Sequence, residues 1–335
     1  MLLLGSMSRP RLGFCRARCL VLATSLTVAG CLDPSLPTGG VLPSFAPYSA
    51  CMVRGASQHL AFASAGGDNA IRWTTSDSSV AQVSSDGLVS ATRAGTAVIS
   101  AAEAGHSDTA EITVTTGLVS FVIDDSHPTD YTVKKPIFNA KHAVGSLSVI
   151  SRLPGLTDAQ LREFKAEGWE ILAHSRTHVR EDSLSVAQLD SEIAGSQRDL
   201  AKRGFGTTVF VYPYGIHTHQ ADSVVQQHFQ AGLLAAWRYN TLPIRNWDAV
   251  RRANLGTRYA RSGENTLAFY QSLVDSTRLH GDWLIFMIHE ITPTDSANLS
   301  DILDYVDNLS LPILTVSDAI QRVKQVPAGG CAPAH

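Results

Sequence analysis

Two adjacent carboxylates follow an apolar segment that is typical of a buried β-strand. Residues 121–123 read Phe-Val-Ile and lead directly into Asp124 and Asp125. Because side chains alternate between the two faces of a strand, we expect the two acids to point in opposite directions. One carboxylate could then bind a metal ion while the other transfers protons. Taken alone, the pair could also be a solvated turn or a helix cap.

A pair of histidines ends a second apolar segment. Residues 169–173 read Trp-Glu-Ile-Leu-Ala and lead into His174 and His178, two imidazoles four positions apart. Two histidines and one carboxylate can form a three-ligand metal site with open positions, which is the arrangement of a catalytic ion rather than a structural one. The spacing of the histidines is a weak signal by itself, since both could be surface residues.

The composition is that of a globular protein with room for two domains. Of the 335 residues, 44% are hydrophobic and 17% are charged, and the net charge is -3. Beyond the N-terminal segment there is no cluster of lysines or arginines, so we do not expect a nucleic-acid partner. Nothing in the sequence predicts an oligomeric state.

The N-terminal segment has the features of an export signal. Several arginines precede an apolar run at residues 19–29, which is too short to span a bilayer, and Gly30 and Cys31 follow. Residues 28–31 resemble the bacterial lipobox. This resemblance implies a signal peptide over residues 1–30 and a lipidated Cys31 that anchors the exported protein to a membrane, in the periplasm or at the cell surface. The alternative is an ordinary cleaved signal in which Cys31 stands by chance.

The segment after this signal suits a flexible tether. Residues 31–48 are rich in Pro, Gly and Ser and lack any periodicity. Two further cysteines, Cys51 and Cys331, lie near the ends of the remaining chain. In an exported protein they could form a disulfide, or they could remain free thiols.

Residues 49–116 have the pattern of a small β-sandwich. Short alternating runs are separated by turn signals such as Asp86-Gly87. The order Trp-x-x-Ser-Asp-x-x-Val-Ala-x-Val from Trp73, then Asp-Gly-Leu-Val, then Ala-Gly-Thr-Ala-x-Ile resembles bacterial immunoglobulin-like domains of the second group. The resemblance implies a spacer or adhesion module, with Trp73 in its core.

From residue 117 onwards, strand and helix candidates alternate. Capping signals at Thr157 and Ser185 open two helices, which we expect to end at Gly168 and before Gly204. Seven β-α units favour an α/β fold, a distorted (β/α)7 barrel over residues 117–325, followed by a tail at 326–335. The strand candidates are residues 119–125, 146–151, 169–174, 208–213, 232–237, 283–289 and 312–316.

Polar residues lie at the ends of these strand candidates. The two aspartates, the two histidines, the segment Tyr212-Pro-Tyr-Gly215 and His289 each close one of them. The C-terminal ends of all strands in a parallel barrel meet on one face, where active sites of this architecture lie. We therefore expect these segments to form one pocket. A single histidine in an apolar strand, such as His289, is otherwise more often a core residue.

Together these motifs resemble the NodB-type polysaccharide deacetylases, carbohydrate esterases of the fourth family, over about residues 118–324. Asp124-Asp125-Ser126 matches the first family motif, Asp-Asp-Gly, except at its last position. The resemblance implies that Asp124 is the catalytic base and Asp125 a metal ligand. His174 and His178 match the second motif and would complete the metal site.

The remaining motifs match less closely. In the third motif, Pro213-Tyr214-Gly215 is present, but Val211 stands where the family usually has arginine. The resemblance implies that the backbone N–H of Tyr214 stabilises an oxyanion and that His289 is the general acid. Our choice for the fourth-motif arginine, which would pair with the base, is Arg252. Weaker alternatives for that motif are Trp247 and Asp248.

The resemblance implies metal-dependent hydrolysis of N-acetyl groups on an extracytoplasmic polysaccharide. Candidate substrates are peptidoglycan, chitooligosaccharide and poly-N-acetylglucosamine, and the ion would be zinc, with cobalt, nickel or manganese as alternatives. One rival is an O-acetyl esterase of the xylan type. Another is a surface glycan-binding or adhesion protein without activity, which the departures at Ser126 and Val211 would suit.

Overall fold

The computed structural model describes residues 48–62, 71–103, 105–236, 238–326 and 331–332. The predicted signal peptide, Cys31 and nearly all of the predicted tether lie outside these ranges. Within them, no helix is long and apolar enough to cross a membrane.

The first part of the described chain forms two facing β-sheets. One sheet contains β3, β6, β7 and β1, and the other contains β4, β5 and β2. Along β6, buried residues alternate with partly exposed ones, as expected for a strand with one face on a core. Trp73 is half-buried against this core. The strands are β1 (Tyr48–Val53), β2 (Ser57–His59), β3 (Arg72–Thr75), β4 (Ala81–Val83), β5 (Leu88–Ala91), β6 (Gly95–Glu103) and β7 (His106–Thr115).

The second part is a closed barrel of seven parallel strands. Each strand pairs with the next along the chain, and β14 pairs with β8 to close the barrel. The sequence-based prediction of a (β/α)7 barrel after a small β-sandwich is therefore confirmed. The strands are β8 (Leu118–Ile123), β9 (Ser146–Val149), β10 (Glu170–Ala173), β11 (Val209–Val211), β12 (Ala231–Ala235), β13 (Val250–Leu255) and β14 (Trp283–Ile288).

Helices connect the barrel strands. Two of them begin where the sequence predicts. Thr157 caps α2 and its N–H donates to Gln160 Oε1 at 2.9 Å, and Ser185 makes the equivalent bond to Gln188 at the start of α3, also at 2.9 Å. The helices are α1 (Lys135–Ala140), α2 (Asp158–Ala166), α3 (Val186–Lys202), α4 (His219–His228), α5 (Leu267–His280), α6 (Pro293–Asn308) and α7 (Val316–Val323). Short helical turns lie at Asp130–Lys134, Glu181–Ser183, Pro213–Gly215 and Trp247–Ala249.

One strand prediction was wrong. Residues 312–316 do not form a barrel strand, because Ile313 makes only an isolated bridge to Val119 and α7 begins at Val316. The strand that was missed is β13, whose residues Arg252 and Asn254 are buried. A search for apolar runs does not find a strand that carries polar side chains into a barrel interior.

The barrel has an inner and an outer apolar layer. Val122, Leu172 and Val211 belong to the inner cluster, and α7 packs against that cluster through Val316 and Ile320. A separate cluster contains the strand residues that face the surrounding helices. The polar ends of the strands therefore lie above a mainly apolar interior, which also holds the buried Ser120, whose Oγ accepts a hydrogen bond from Trp283 Nε1.

The last described segment returns to the sandwich. Its short strand β15 (Cys331–Ala332) pairs in parallel with β1, and Cys331 is the register partner of Cys51. Cys51 is disulfide-bonded, so it is not one of the free thiols that the sequence left open. The predicted tail thus contributes a strand that the sequence did not indicate.

Candidate active site

The strand ends form one pocket of about 210 Å³. All seven residues for which the sequence predicts a catalytic or metal-binding role line it: Asp124, Asp125, His174, His178, Tyr214, Arg252 and His289. Tyr212, Gly215, Ala235, Tyr259 and Met287 complete the lining. The alternatives Trp247 and Asp248 do not line the pocket.

The backbone turns sharply after β8. The strand ends at Ile123, and Asp125 and Ser126 have φ values of 72° and 53°, in the left-handed region. Asp124 lines the pocket, and the turn brings the Asp125 carboxylate into the same pocket. The prediction that the two acids point in opposite directions is therefore wrong. Positive φ at Ser126 also gives a physical reason for glycine at this position of the family motif.

Asp125, His174 and His178 have the geometry of a metal site. Asp125 Oδ1 lies 3.4 Å from Nε2 of His174 and 3.4 Å from Nε2 of His178. Ligands held about 2.0 Å from a tetrahedral ion are separated by roughly 3.3 Å, so these spacings fit. Asp125 Oδ1 is buried and has no hydrogen-bond partner among the described residues, which is unusual for a carboxylate oxygen unless it serves a ligand.

The orientation of His174 supports this assignment. Its Nδ1 lies 2.7 Å from the carbonyl oxygen of Val211. A carbonyl can only accept, so Nδ1 carries the proton and Nε2 presents its lone pair towards Asp125. Val211 contributes through its backbone, so this contact does not depend on its side chain. Burial lowers the pKa of His178, which also favours the neutral form that binds metal.

Asp124 is held by a buried arginine. Arg252 Nη1 donates to both carboxylate oxygens, at 2.7 and 2.9 Å, and Ser148 Oγ donates to Oδ1 at 2.7 Å. Burial alone would raise the pKa of Asp124, but the nearby charges, of which Arg252 is the largest, together with the Arg252 hydrogen bond keep this pKa below its ordinary value. Asp124 is therefore ionised at neutral pH and fixed in orientation.

His289 lies beside the same carboxylate. Its Nε2 is 3.6 Å from Asp124 Oδ2, which is too long for a direct hydrogen bond, and its buried Nδ1 has no partner among the described residues. Burial lowers the pKa of His289, although Asp124 and Asp125 oppose this shift. The lowered pKa makes the protonated imidazole a stronger acid.

Several residues at the site were not predicted from sequence. Ser148 could have been found, because β9 reads Ser-Leu-Ser-Val, in which serines alternate with apolar residues. Tyr259 has no such signal, since it lies in the loop after β13. His127 lies at the edge of the site, with Nε2 3.6 Å from Asp125 Oδ2.

Two family models match the chain. The polysaccharide deacetylase model matches residues 112–232, and the bacterial Ig-like domain (group 2) model matches residues 44–119. These matches confirm the two family resemblances stated from the sequence. The first matched segment contains the metal-site residues and Tyr214, and it ends before Arg252 and His289.

Solved structures with a similar fold include three esterases and deacetylases. A family 4 carbohydrate esterase from Streptomyces lividans in complex with acetate is 18% identical, with 65% of this chain and 99% of that chain covered and a TM-score of 0.47. Peptidoglycan deacetylase PdaC from Bacillus subtilis is 18% identical, with 63% and 92% covered and a TM-score of 0.45. A family 4 acetyl xylan esterase from Clostridium thermocellum in complex with a cobalt ion is 17% identical, with 63% and 93% covered and a TM-score of 0.47. No curated protein shows a significant match to the chain.

Proposed function

Because the chain carries a polysaccharide deacetylase domain, we propose that it hydrolyses N-acetyl groups on an extracytoplasmic polysaccharide and releases acetate. The substrates that we propose are peptidoglycan, chitooligosaccharide and poly-N-acetylglucosamine. The observation that carries the proposal is the convergence of a metal-binding triad, a buried Asp-Arg pair and a histidine in one pocket.

Asp125, His174 and His178 would hold one divalent ion. We propose zinc, with cobalt, nickel and manganese as alternatives. The chemistry that such an ion supplies is polarisation of the acyl carbonyl and a lower pKa for water at the site. The three side chains supply neutral nitrogen and anionic oxygen donors, which suit each of these metals.

Asp124 is the proposed base. Its carboxylate is ionised and accepts a proton from the water that attacks the acetyl carbonyl. Arg252 and Ser148 keep the carboxylate from rotating, so that it needs little reorganisation when the proton arrives. The backbone N–H of Tyr214 is the proposed donor to the oxygen that becomes negative during this attack.

His289 is the proposed acid. An amide nitrogen leaves poorly unless it is protonated, so a donor must lie close to it when the C–N bond breaks. His289 gives its proton to that nitrogen, and the products are a free amine on the sugar and acetate. The reaction needs no covalent intermediate with the protein.

Acetate release tests the function directly. The full chain is incubated with chitotetraose and with acetylated xylan, each with and without a chelator. We expect release from chitotetraose that stops with the chelator and returns when zinc is added. Faster release from xylan would favour the O-acetyl esterase instead, and glycan binding without any release would favour an inactive adhesion protein.

We also propose that the protein is exported and anchored to a membrane by a lipid on Cys31. The arginines, the apolar run and the lipobox-like residues that support this lie within residues 1–31. Growth with labelled palmitate followed by membrane fractionation tests it. Cys31→Ser should lose the label and leave the membrane fraction, whereas an unlabelled wild-type protein would contradict the proposal.

A further inference from the structure

Two tyrosines on the pocket rim are unusually exposed. Tyr214 and Tyr259 expose 57% and 52% of their surface and line the pocket. Both have positive φ, 60° and 67°, a conformation that non-glycine residues seldom adopt and that is concentrated at ligand-binding sites. The Tyr214 ring lies 4.6 Å from the ring of His178, and the Tyr259 ring lies 4.9 Å from that of His289.

Tyr259 is supported from behind. The Arg258 guanidinium lies over its ring, 5.2 Å from the centroid, and Arg258 donates to Glu290 Oε2 at 2.8 Å. One ring face is therefore covered by a charged pair, and about half of the residue remains exposed. Nothing in the proposed chemistry uses this surface.

The loop before Tyr259 is firmly held. The Thr257 N–H and hydroxyl both donate to the buried Asp295, each at 2.9 Å. The Gly256 N–H donates to the hydroxyl of Tyr270 at 2.9 Å. A loop fixed in this way presents its aromatic ring with little loss of conformational entropy on binding.

We propose that Tyr259 is a glycan-binding residue whose exposed face stacks on a pyranose ring next to the acetylated unit, and that Tyr214 offers a second aromatic surface on the side of His178. The flat apolar face of a sugar suits an aromatic ring that has one polar end. The inference rests on the proposed function and deepens it, because it makes the substrate an oligomer rather than an isolated acetylated unit. Tyr259 touches substrate away from the reacting atoms, so it acts on binding and not on the chemical step.

Kinetics on glycans of increasing length test this role. The substrates are mono- to tetrasaccharides of whichever series, chitooligosaccharide or acetylated xylooligosaccharide, the wild type turns over faster. We expect Tyr259→Ala to raise KM for the tetramer about tenfold, with kcat, its pH profile and the KM for the monomer within about twofold of the wild type. Tyr259→Phe is the matched control and should behave like the wild type.

Each alternative outcome would contradict either this inference or the proposed function. A fall in kcat or a shifted pH profile in Tyr259→Ala would show that the ring acts through His289, and would overturn the inference. An unchanged KM for the tetramer, in an active and folded variant, would also overturn the inference while leaving the proposed function intact. A wild type that releases acetate from neither series would overturn the proposed function and this inference with it.

Discussion

Asp124 and Asp125 show how two neighbouring residues of one type acquire different properties. Asp124 is buried against Arg252 and Ser148, and its Oδ1 accepts two hydrogen bonds while Oδ2 accepts one. Asp125 Oδ1 faces two histidine nitrogens and has no hydrogen-bond donor among the described residues. The left-handed turn between strand and loop creates this difference. One acid is therefore suited to proton transfer and the other to ion binding.

Substitutions that separate these two properties make the first prediction. Asp124→Asn keeps the shape of the side chain but removes the base, so we expect acetate release to fall by a factor of about 100 or more. The metal content should stay at the wild-type level, because the three ligands are untouched. His174→Ala should lose the metal. Mass spectrometric metal analysis and an acetate assay on both variants measure these outcomes, and full activity in either would contradict the assigned role.

The site residues differ in how far the sequence could predict them. The aspartates and histidines stand in short motifs with fixed spacing, and Arg252 could be found from its position between motifs. Tyr259 could not be found, because its importance depends on how the loop after β13 folds over Asp295. Loop conformation depends on contacts that are distant in sequence, and a single tyrosine carries no periodic signal.

Glu181 makes a second prediction, which concerns pH. Both of its carboxylate oxygens are buried without partners among the described residues, and burial, together with Glu192 and Asp222, raises its pKa to about 9. The pKa of Glu181 in the unfolded chain is near 4.5. At pH values between 4.5 and about 9, only the folded state keeps the carboxyl protonated, so the free energy of unfolding falls as pH rises.

Glu181→Gln tests this effect, since glutamine does not titrate. The variant should be close to the wild type in stability at pH 4.5 and more stable at pH 8, with a slope of at most about 1.4 kcal/mol per pH unit between them. Urea denaturation at several pH values measures the difference. A difference that does not change with pH would contradict the prediction.

At the level of elements, α3 holds the loop between the two histidines that we propose as metal ligands. Glu192 Oε2 accepts the backbone N–H groups of Arg176 and Thr177, at 3.1 and 2.9 Å. Asp199 accepts two bonds from the Arg176 guanidinium, at 2.8 and 3.1 Å, and a third from Arg152 at 2.8 Å. The loop lies between His174 and His178, so these contacts set the separation of the two imidazoles.

Gly195 on α3 offers a third prediction. A Cβ at this position would lie 2.5 Å from Cζ of Arg176 and would displace the guanidinium from Asp199. We expect Gly195→Ala and Asp199→Asn each to weaken zinc affinity about tenfold, which is the lower range for residues that support ligands. Loss of helix stability would not explain weaker zinc binding by Gly195→Ala, because alanine favours a helix over glycine by about 1 kcal/mol.

Asp190 provides the matched control on the same helix. It makes an exposed ion pair with Arg198 at 3.2 Å, away from the ligand loop. Asp190→Asn should leave zinc affinity unchanged in competition titrations with a chromophoric chelator. Equal affinities in all three variants would show that α3 does not position the ligands.

The helices and strands also show which elements can be predicted. Capping signals predicted the starts of α2 and α3 because they depend on residues three positions apart. Strand β13 was missed because Arg252 and Asn254 point into the barrel, where Asp124 and the Gly256 carbonyl are their partners. Polar residues are expected inside a barrel at its catalytic end. An apolar pattern therefore does not identify the strand that carries them.

For the whole molecule, the order of sandwich and barrel could be predicted from the change in pattern near residue 117. The return of the chain to the sandwich could not be predicted, because a strand as short as β15 has no periodicity and forms only through its pairing with β1. This pairing brings the last described segment beside the first strand, so the sandwich holds both ends of the barrel domain.

A disulfide between Cys51 and Cys331 is the fourth prediction, and it follows from this pairing. Cys51 is disulfide-bonded and 4% exposed, and its register partner is Cys331. A bridge at this point would close a very long loop and restrict the unfolded chain, so Cys51→Ala should reduce stability by about 2–5 kcal/mol. Alanine avoids placing an unpaired hydroxyl in the buried position.

Comparison of the single and double variants identifies the partner. If the two sulfurs bond to each other, Cys331→Ala should lower Tm as much as Cys51→Ala, and the double variant should lower it no further. Differential scanning calorimetry of the oxidised proteins measures all three, and the wild type with reductant should match them. Additive losses, or a Cys331→Ala variant as stable as the wild type, would mean that Cys51 bonds elsewhere and that the return of the chain is held by backbone pairing alone.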